Sequence, residues 1–218
     1  MTTAIRRSAR LLSRLRRDER GVQLVEFAIA LPVLLTVGLG GIEVANFSIA
    51  SIRCSQIAMT VADNAGRVRS SIDEADINEM MIGAKQIGAG IDFAENGRII
   101  LSSLEENAAK NGQWIRWQRC SGKKVVTSSY GAEGAGRLNS SLQDMGPADN
   151  KIAALSGTAV MFVEVVYDYQ PIVSNRLIGA RTLRYVSAFN VRQRTDQQLK
   201  NGSSLPTAKK SDCSIYTA

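Results

Sequence analysis

Between Glu19 and Leu35 the chain reads ERGVQLVEFAIALPVLL. A basic, polar stretch gives way at Gly21 to an apolar one, and inside the apolar part stands a carboxylate, Glu26. From Phe27 to Ile42 no residue is charged. As helix this run covers about 24 Å, short of a bilayer core of about 30 Å. Val22–Val25 before it and Val44–Ile52 after it carry the apolar reach past that limit. One membrane-crossing helix is therefore predicted over residues 22–52, with Glu26 and Glu43 near its two ends. Pro32 removes the donor for the Ala28 carbonyl and predicts a kink.

The chain has 218 residues and a formal net charge of +7. Its basic character is local. Seven arginines (Arg6, Arg7, Arg10, Arg14, Arg16, Arg17 and Arg20) face only Asp18 and Glu19 in the first twenty residues, which leaves the rest close to neutral. Arginine bias keeps residues 1–21 cytoplasmic and sends everything after Arg53 across the membrane. A neutral body lacks the basic face that nucleic acid requires, so no nucleic-acid partner is expected. Histidine is absent, which removes Ser-His-Asp and Cys-His catalysis and the commonest transition-metal ligand. The three cysteines show no CxxC spacing, and no P-loop is present. No cofactor, no metal and no enzymatic activity are expected.

Past the apolar segment, Cys54, Ala58, Val61, Ala65, Val68 and Ile72 recur at spacings of four and three, a narrow seam on one helix face. The helix is expected to leave the bilayer as a stalk reaching about Arg69. Ser71-Ile72-Asp73-Glu74 reads as a capping box opening a second helix to about Gly88, with Ile77, Met80, Met81, Ala84 and Ile87 as its apolar positions. Arg98–Leu104, Gln113–Arg119, Met161–Tyr169 and Leu183–Val191 read as strands of an antiparallel sheet, wet on one face and packed on the helices on the other. Ser128–Asn150 reads as a long loop. The fold class is α+β: a long N-terminal membrane-spanning helix continued as a stalk, a second helix, then the sheet. The expected partition is a leader (1–21), a transmembrane helix (22–52), an exported domain (53–200) and a tail (201–218).

Candidate sites on the body are few. Glu164 and Asp168, about 13 Å apart along one strand, are too far apart for a glycosidase-type pair. They are expected on a solvated face near Arg184 or Arg192. Trp114 and Trp117 are expected on opposite faces of their strand, which argues against a stacking platform. With Cys54 on the helix seam, a disulfide is expected between Cys120 and Cys213 in an oxidising compartment, although three pairings are open.

Gly21, Val22, Glu26 and Phe27 carry a resemblance. A basic leader ending in glycine, an apolar helix beginning at once, and a glutamate five residues past the glycine resemble a class III prepilin signal. The wider string is similar to TadE-like proteins of the tight-adherence (Tad/Flp) pilus system, in which VEFA-type and LP-type segments recur. WIRWQRC (Trp114–Cys120) and GTAVMFVEVVYDYQP (Gly157–Pro171) are looser echoes. The resemblance implies a pilin-like fold and a pseudopilin-like assembly component of the bacterial inner membrane, with its domain in the periplasm. It implies cleavage by prepilin peptidase between Gly21 and Val22. Other pilins or pseudopilins and Tad inner-membrane assembly proteins would be its partners, and Glu26 and Phe27 its recognition residues. Val22 stands where ordinary type IV pilins commonly have Phe, and Phe27 where major Flp pilins tend to have Tyr. The alternatives are a single-span periplasmic interaction or sensor module, a minor pseudopilin of a type II secretion system, and a signal peptide cut near Gly38-Leu39-Gly40.

Overall fold

The computed structural model describes residues 20–174, 176 and 178–217. Most of the basic leader, residues 1–19, therefore lies outside the described residues. The first element, α1 (Arg20–Arg67), is a single helix of 48 residues. Its composition changes along its length, and so does its environment. Residues 21–42 are exposed on every side except at half-buried Gly40. The helix runs through Pro32 without a break, and the Thr36 hydroxyl donates to the Pro32 carbonyl at 2.7 Å.

From Ala50 onward one face of α1 is buried. Ala50, Cys54, Ile57, Ala58, Val61, Ala62 and Ala65 lie on it, at the three- and four-residue spacings that put side chains on one stripe. Alanines let the helix axis approach the sheet closely, and burying a side chain such as Ile57 contributes about 1.5–3 kcal/mol. The expected seam is present from Cys54 to Ala65, widened by Ile57 and Ala62; the helix ends at Arg67, so Val68, which is partly buried, and Ile72, which lies in the strand that follows, are not on it. Near its end the Gly66 carbonyl accepts from the Arg192 N–H.

After α1 the chain makes a two-residue strand, β1 (Ile72–Asp73), and then α2 (Glu74–Ile87). The cap differs from expectation. Asp73, not Ser71, caps α2: its carboxylate accepts from the Ala75 N–H at 3.0 Å, and its own N–H donates to Asp76 at 2.9 Å. Residues 72 and 73 are held extended by parallel pairing with β6 (Leu199–Lys200), so helix cannot begin before Glu74. α2 buries Ile77, Met81 and Ala84, while Met80 and Ile87 pack at the edge of the core. Glu74 is bound by the Arg119 guanidinium at 2.7–3.1 Å, which ties the start of α2 to the sheet. A short 3-10 turn (Ala89–Ile91) and α3 (Phe93–Asn96) follow.

Four strands form the main sheet: β2 (Gly97–Glu106), β3 (Gln113–Ser121), β4 (Ala159–Asp168) and β5 (Thr182–Asn190). Their order is β3-β2-β4-β5, antiparallel throughout. α1 crosses β4 and β5, with Glu43 beside the end of β4 and Gly66 beside the end of β5. Ile99, Leu101, Met161, Val163, Val165 and Tyr167 fill the space under the helices. The long helix on a four-stranded antiparallel sheet is the expected α+β, pilin-like arrangement.

The sheet is not wet on its other face. Leu104, Ile115, Val160 and Phe162 are buried there against Met145 and Ala154, with Tyr130, Leu142 and Ile152 closing over them. All of those covering residues come from the stretch between β3 and β4, most of which reads as loop. It carries too few apolar residues per turn to show a period, yet Tyr130, Leu142, Met145, Ile152 and Ala154 land on the sheet, while Val125, Leu138 and Leu155 stay exposed.

A register shift between Ser103 and Leu104 corrects the tryptophans as well. Trp117 pairs with Ser103 and Trp114 with Glu105, so the bulge around Arg116 brings both rings to one side of the strand. Trp117 is buried with its indole N–H donating to the Gln197 carbonyl at 3.0 Å, so no stacking platform results.

The segment after β6 is fixed rather than trailing. Cys120 and Cys213 are joined by a disulfide, and the Cys120 N–H donates to the Ser211 carbonyl at 2.7 Å. The wholly buried Arg98 guanidinium donates to the carbonyls of Gly122, Cys213 and Ile215 at 2.7–2.8 Å and lies 4.1 Å from the Tyr216 ring centroid. Three carbonyl dipoles and an aromatic face substitute for the water that a buried cation loses.

Candidate membrane and assembly interface

The exposed half of α1 is the feature of this molecule that its own fold does not explain. An 18-residue stretch of it reaches a mean hydropathy of 2.1 with none of it buried. Residues 21–42 extend for about 33 Å, matching a hydrocarbon core of about 30 Å. In lipid a helix is one of the few structures that satisfies every backbone group internally. This is one helix long and apolar enough to cross a membrane.

Gly21, Val22, Glu26 and Phe27 all lie on its first turns and all are exposed. Val22 and Glu26 are four residues apart, so they share a helix face. Gly38, Gly40 and Gly41 make a flat patch further along, where a Cβ at any of them would meet nothing within 4 Å. Cys120 and Cys213 are not part of this cluster; they lie on the folded body.

Where the exposed half meets the body, the structure holds a clamp that sequence reading did not anticipate. Glu43 is 0% exposed despite lying in an apolar stretch. Its carboxylate accepts from the Tyr169 hydroxyl at 2.5 Å and from the backbone N–H groups of Ile172 and Val173 at 3.1 and 2.8 Å. Asn46, one turn on, donates to the Tyr169 hydroxyl at 2.8 Å and to the Gln170 carbonyl at 3.3 Å. Phe47 meets the Tyr169 ring edge-on, with centroids 5.1 Å apart. Glu43 thus fixes how far α1 projects beyond the β4–β5 connection. A lone acid in an apolar run was the visible signal, but its partners are more than a hundred residues away.

The carboxylates of β4 are separated in role. Glu164 is buried, accepting from the Ser128 hydroxyl and from the Ser129 N–H at 2.9 Å. Burial holds its carboxyl above the usual range against those hydrogen bonds. The expected solvated position is therefore wrong for Glu164, because the β3–β4 segment covers it. Asp168 pairs with Lys124 and accepts from the Thr182 hydroxyl at 2.6 Å. Arg192 pairs instead with Asp63 of α1 at 2.7 Å. Burial pushes the Cys54 thiol up to about 12, making it an inert core residue. Among the described residues no cluster of three His, Cys, Asp or Glu is placed to hold a metal ion.

Residues 21–63 match the family model described as TadE-like protein. The match begins at Gly21, covers the whole exposed run and the helix side of the clamp (Glu43, Asn46 and Phe47), and ends within the buried half of α1. No curated protein and no solved structure matches the chain.

Proposed function

From the match of residues 21–63 to the TadE-like protein family, we propose that this chain is a membrane-anchored, pseudopilin-like component that assembles a Tad-type pilus. The match supports an association with Tad pili, and the specific role goes beyond it. In it, α1 crosses the inner membrane and the sheet domain stands in the periplasm, where the Cys120–Cys213 disulfide forms. Prepilin peptidase removes the basic leader between Gly21 and Val22. The chain performs no chemistry and acts through contacts of its helix and domain with other pilin-like subunits and Tad inner-membrane proteins.

One observation carries this reading: the first half of α1 is apolar and exposed on every side, while the second half is core. A helix built that way has two environments, and the fold supplies only one. Within the exposed half Glu26 is the costly residue, since a carboxylate near lipid is unfavourable unless something receives it. Cleavage would put a free amine on Val22, about 6 Å along the axis from Glu26. A neighbouring subunit shifted along the axis would offer its own amine to the same carboxylate. Such a pair sets axial register between helices that otherwise slide on apolar surface, with modest net stability because desolvation offsets the attraction. Phe27, exposed on the same turn, is the second recognition residue in this reading.

Complementation of a deletion strain tests the reading. Glu26→Ala is expected to insert, to fold its domain and to be processed, yet to leave cells without pili. Normal piliation by that variant would remove the register role.

A further inference from the structure

The connection between β4 and β5, residues 169–181, is pinned at the level where the exposed half of α1 ends. Glu43 receives the N–H groups of Ile172 and Val173, and the residue before it, Ile42, belongs to the exposed apolar run. The tip of this connection is open among the described residues: Ile172 is 68% exposed. From Tyr169 to Arg181 it holds two arginines, Arg176 and Arg181, and no acid, alongside Ile172, Val173 and Ile178. Both arginines are exposed, and neither forms an ion pair among the described residues. Of the other basic groups at this end of the sheet, Lys123 pairs with Glu95 and Lys124 with Asp168, while Arg184 donates to the Ser129 hydroxyl at 3.3 Å.

We propose that this connection is a membrane-surface foot: Ile172 enters the outer boundary of the bilayer beside α1, and Arg176 and Arg181 meet anionic lipid headgroups. The inference rests on the reading of α1 as the membrane-crossing helix, with its exposed residues 21–42 in the hydrocarbon. Given that reading, geometry does the rest. The helix leaves the hydrocarbon near Ile42, and Glu43 holds the backbone of Ile172 against the helix at that depth. An exposed branched aliphatic residue at the boundary gains by leaving water. Unpaired arginines just above it face the region where anionic headgroups attract basic side chains. Two tethers, the helix and the foot, would hold the domain at a fixed tilt to the membrane and stop it rotating about α1. A soluble protein partner is the competing occupant, and it predicts a different outcome below.

The test uses the full chain in vesicles of phosphatidylethanolamine and phosphatidylglycerol. Among the described residues an introduced cysteine is the reactive thiol, because Cys54 is buried and Cys120 and Cys213 are bonded to each other. An environment-sensitive fluorophore is placed at Ile172→Cys, at Val33→Cys in the exposed helix, and at Leu138→Cys. Leu138 is 89% exposed and stands by the opposite end of the sheet, where Gln113 pairs with Glu106 and bonds to Leu142. Nitroxide-labelled lipids are expected to quench the probes at 33 and 172 and to spare the one at 138. Arg176→Glu combined with Arg181→Glu should lower quenching at 172 while leaving 33 and 138 unchanged. A probe at 172 as aqueous as that at 138, with 33 still quenched, overturns the foot and leaves the membrane helix standing. An aqueous probe at 33 overturns the membrane reading itself, and the foot with it. Quenching at 172 untouched by charge reversal removes the headgroup contact. Shielding of 172 in native membranes but not in lipid vesicles assigns the surface to a protein instead.

Discussion

Tyr169→Phe isolates the joint between the helix and the sheet, because it deletes one oxygen and leaves the ring. The Tyr169 side chain is buried, with its hydroxyl donating to the Glu43 carboxylate at 2.5 Å and accepting from Asn46 at 2.8 Å. A hydrogen bond to a charged acceptor contributes about 1.5–3 kcal/mol. Part of that is returned in the variant. The carboxylate keeps the N–H groups of Ile172 and Val173, and Asn46 keeps the Gln170 carbonyl. Packing of Phe47 on the ring is also retained. The expected cost is therefore about 1–2 kcal/mol. For a domain of this size that corresponds to a fall in Tm of about 2–8 °C. Thermal unfolding of the detergent-solubilised chain, followed by circular dichroism, gives the number. Hydrogen exchange locates it: the Ile172 and Val173 amides should exchange faster in Tyr169→Phe and faster still in Glu43→Ala. An unchanged Tm together with unchanged exchange at those two amides would refute the clamp as the element that fixes the projection of α1.

Replacing Cys120 and Cys213 by serine opens a loop with a sequence separation of 93 residues. The chain-entropy model then assigns a loss of about 4–5 kcal/mol before strain is subtracted, and a Tm indifferent to both the replacement and a reductant would contradict it. Glu164 sets a pH dependence. Its folded-state carboxyl is held above the usual range by burial, so the folded state keeps its proton longer than the unfolded one and stability falls as pH rises through that window. Melts from about pH 4 to pH 7 should show that decline, flattened in Glu164→Gln; an identical slope in both proteins would remove Glu164 as its source.

Periodicity made much of this fold readable. The Cys54–Ala65 seam and the alternation of Met161–Tyr169 and Leu183–Val191 put α1 on an antiparallel sheet, because each pattern is complete within one element. What sequence could not show depends on pairs distant along the chain. Asp73 displaces Ser71 as the cap because β6, from more than a hundred residues away, holds residues 72 and 73 extended. The bulge at Arg116 moves Trp114 to the side of Trp117, and no local signal marks it. The second face of the sheet was read as wet because its cover is an irregular segment whose scattered Tyr130, Leu142, Met145 and Ile152 have no period. At the interface the apolar run and Glu26 are legible in a few residues. The Glu43 clamp is legible only as an oddity, since Tyr169, Ile172 and Val173 reach it through the fold.

The mature N-terminus tests the pseudopilin-like role most directly. Intact mass and N-terminal sequencing of the protein purified from native membranes should find a chain that begins at Val22. Gly21→Leu should yield the full-length mass, because glycine without a Cβ admits the closest approach at the scissile bond. A wild-type protein that still begins at Met1, or one cut beyond the apolar run near Gly40, would contradict the assignment as a processed pseudopilin-like subunit.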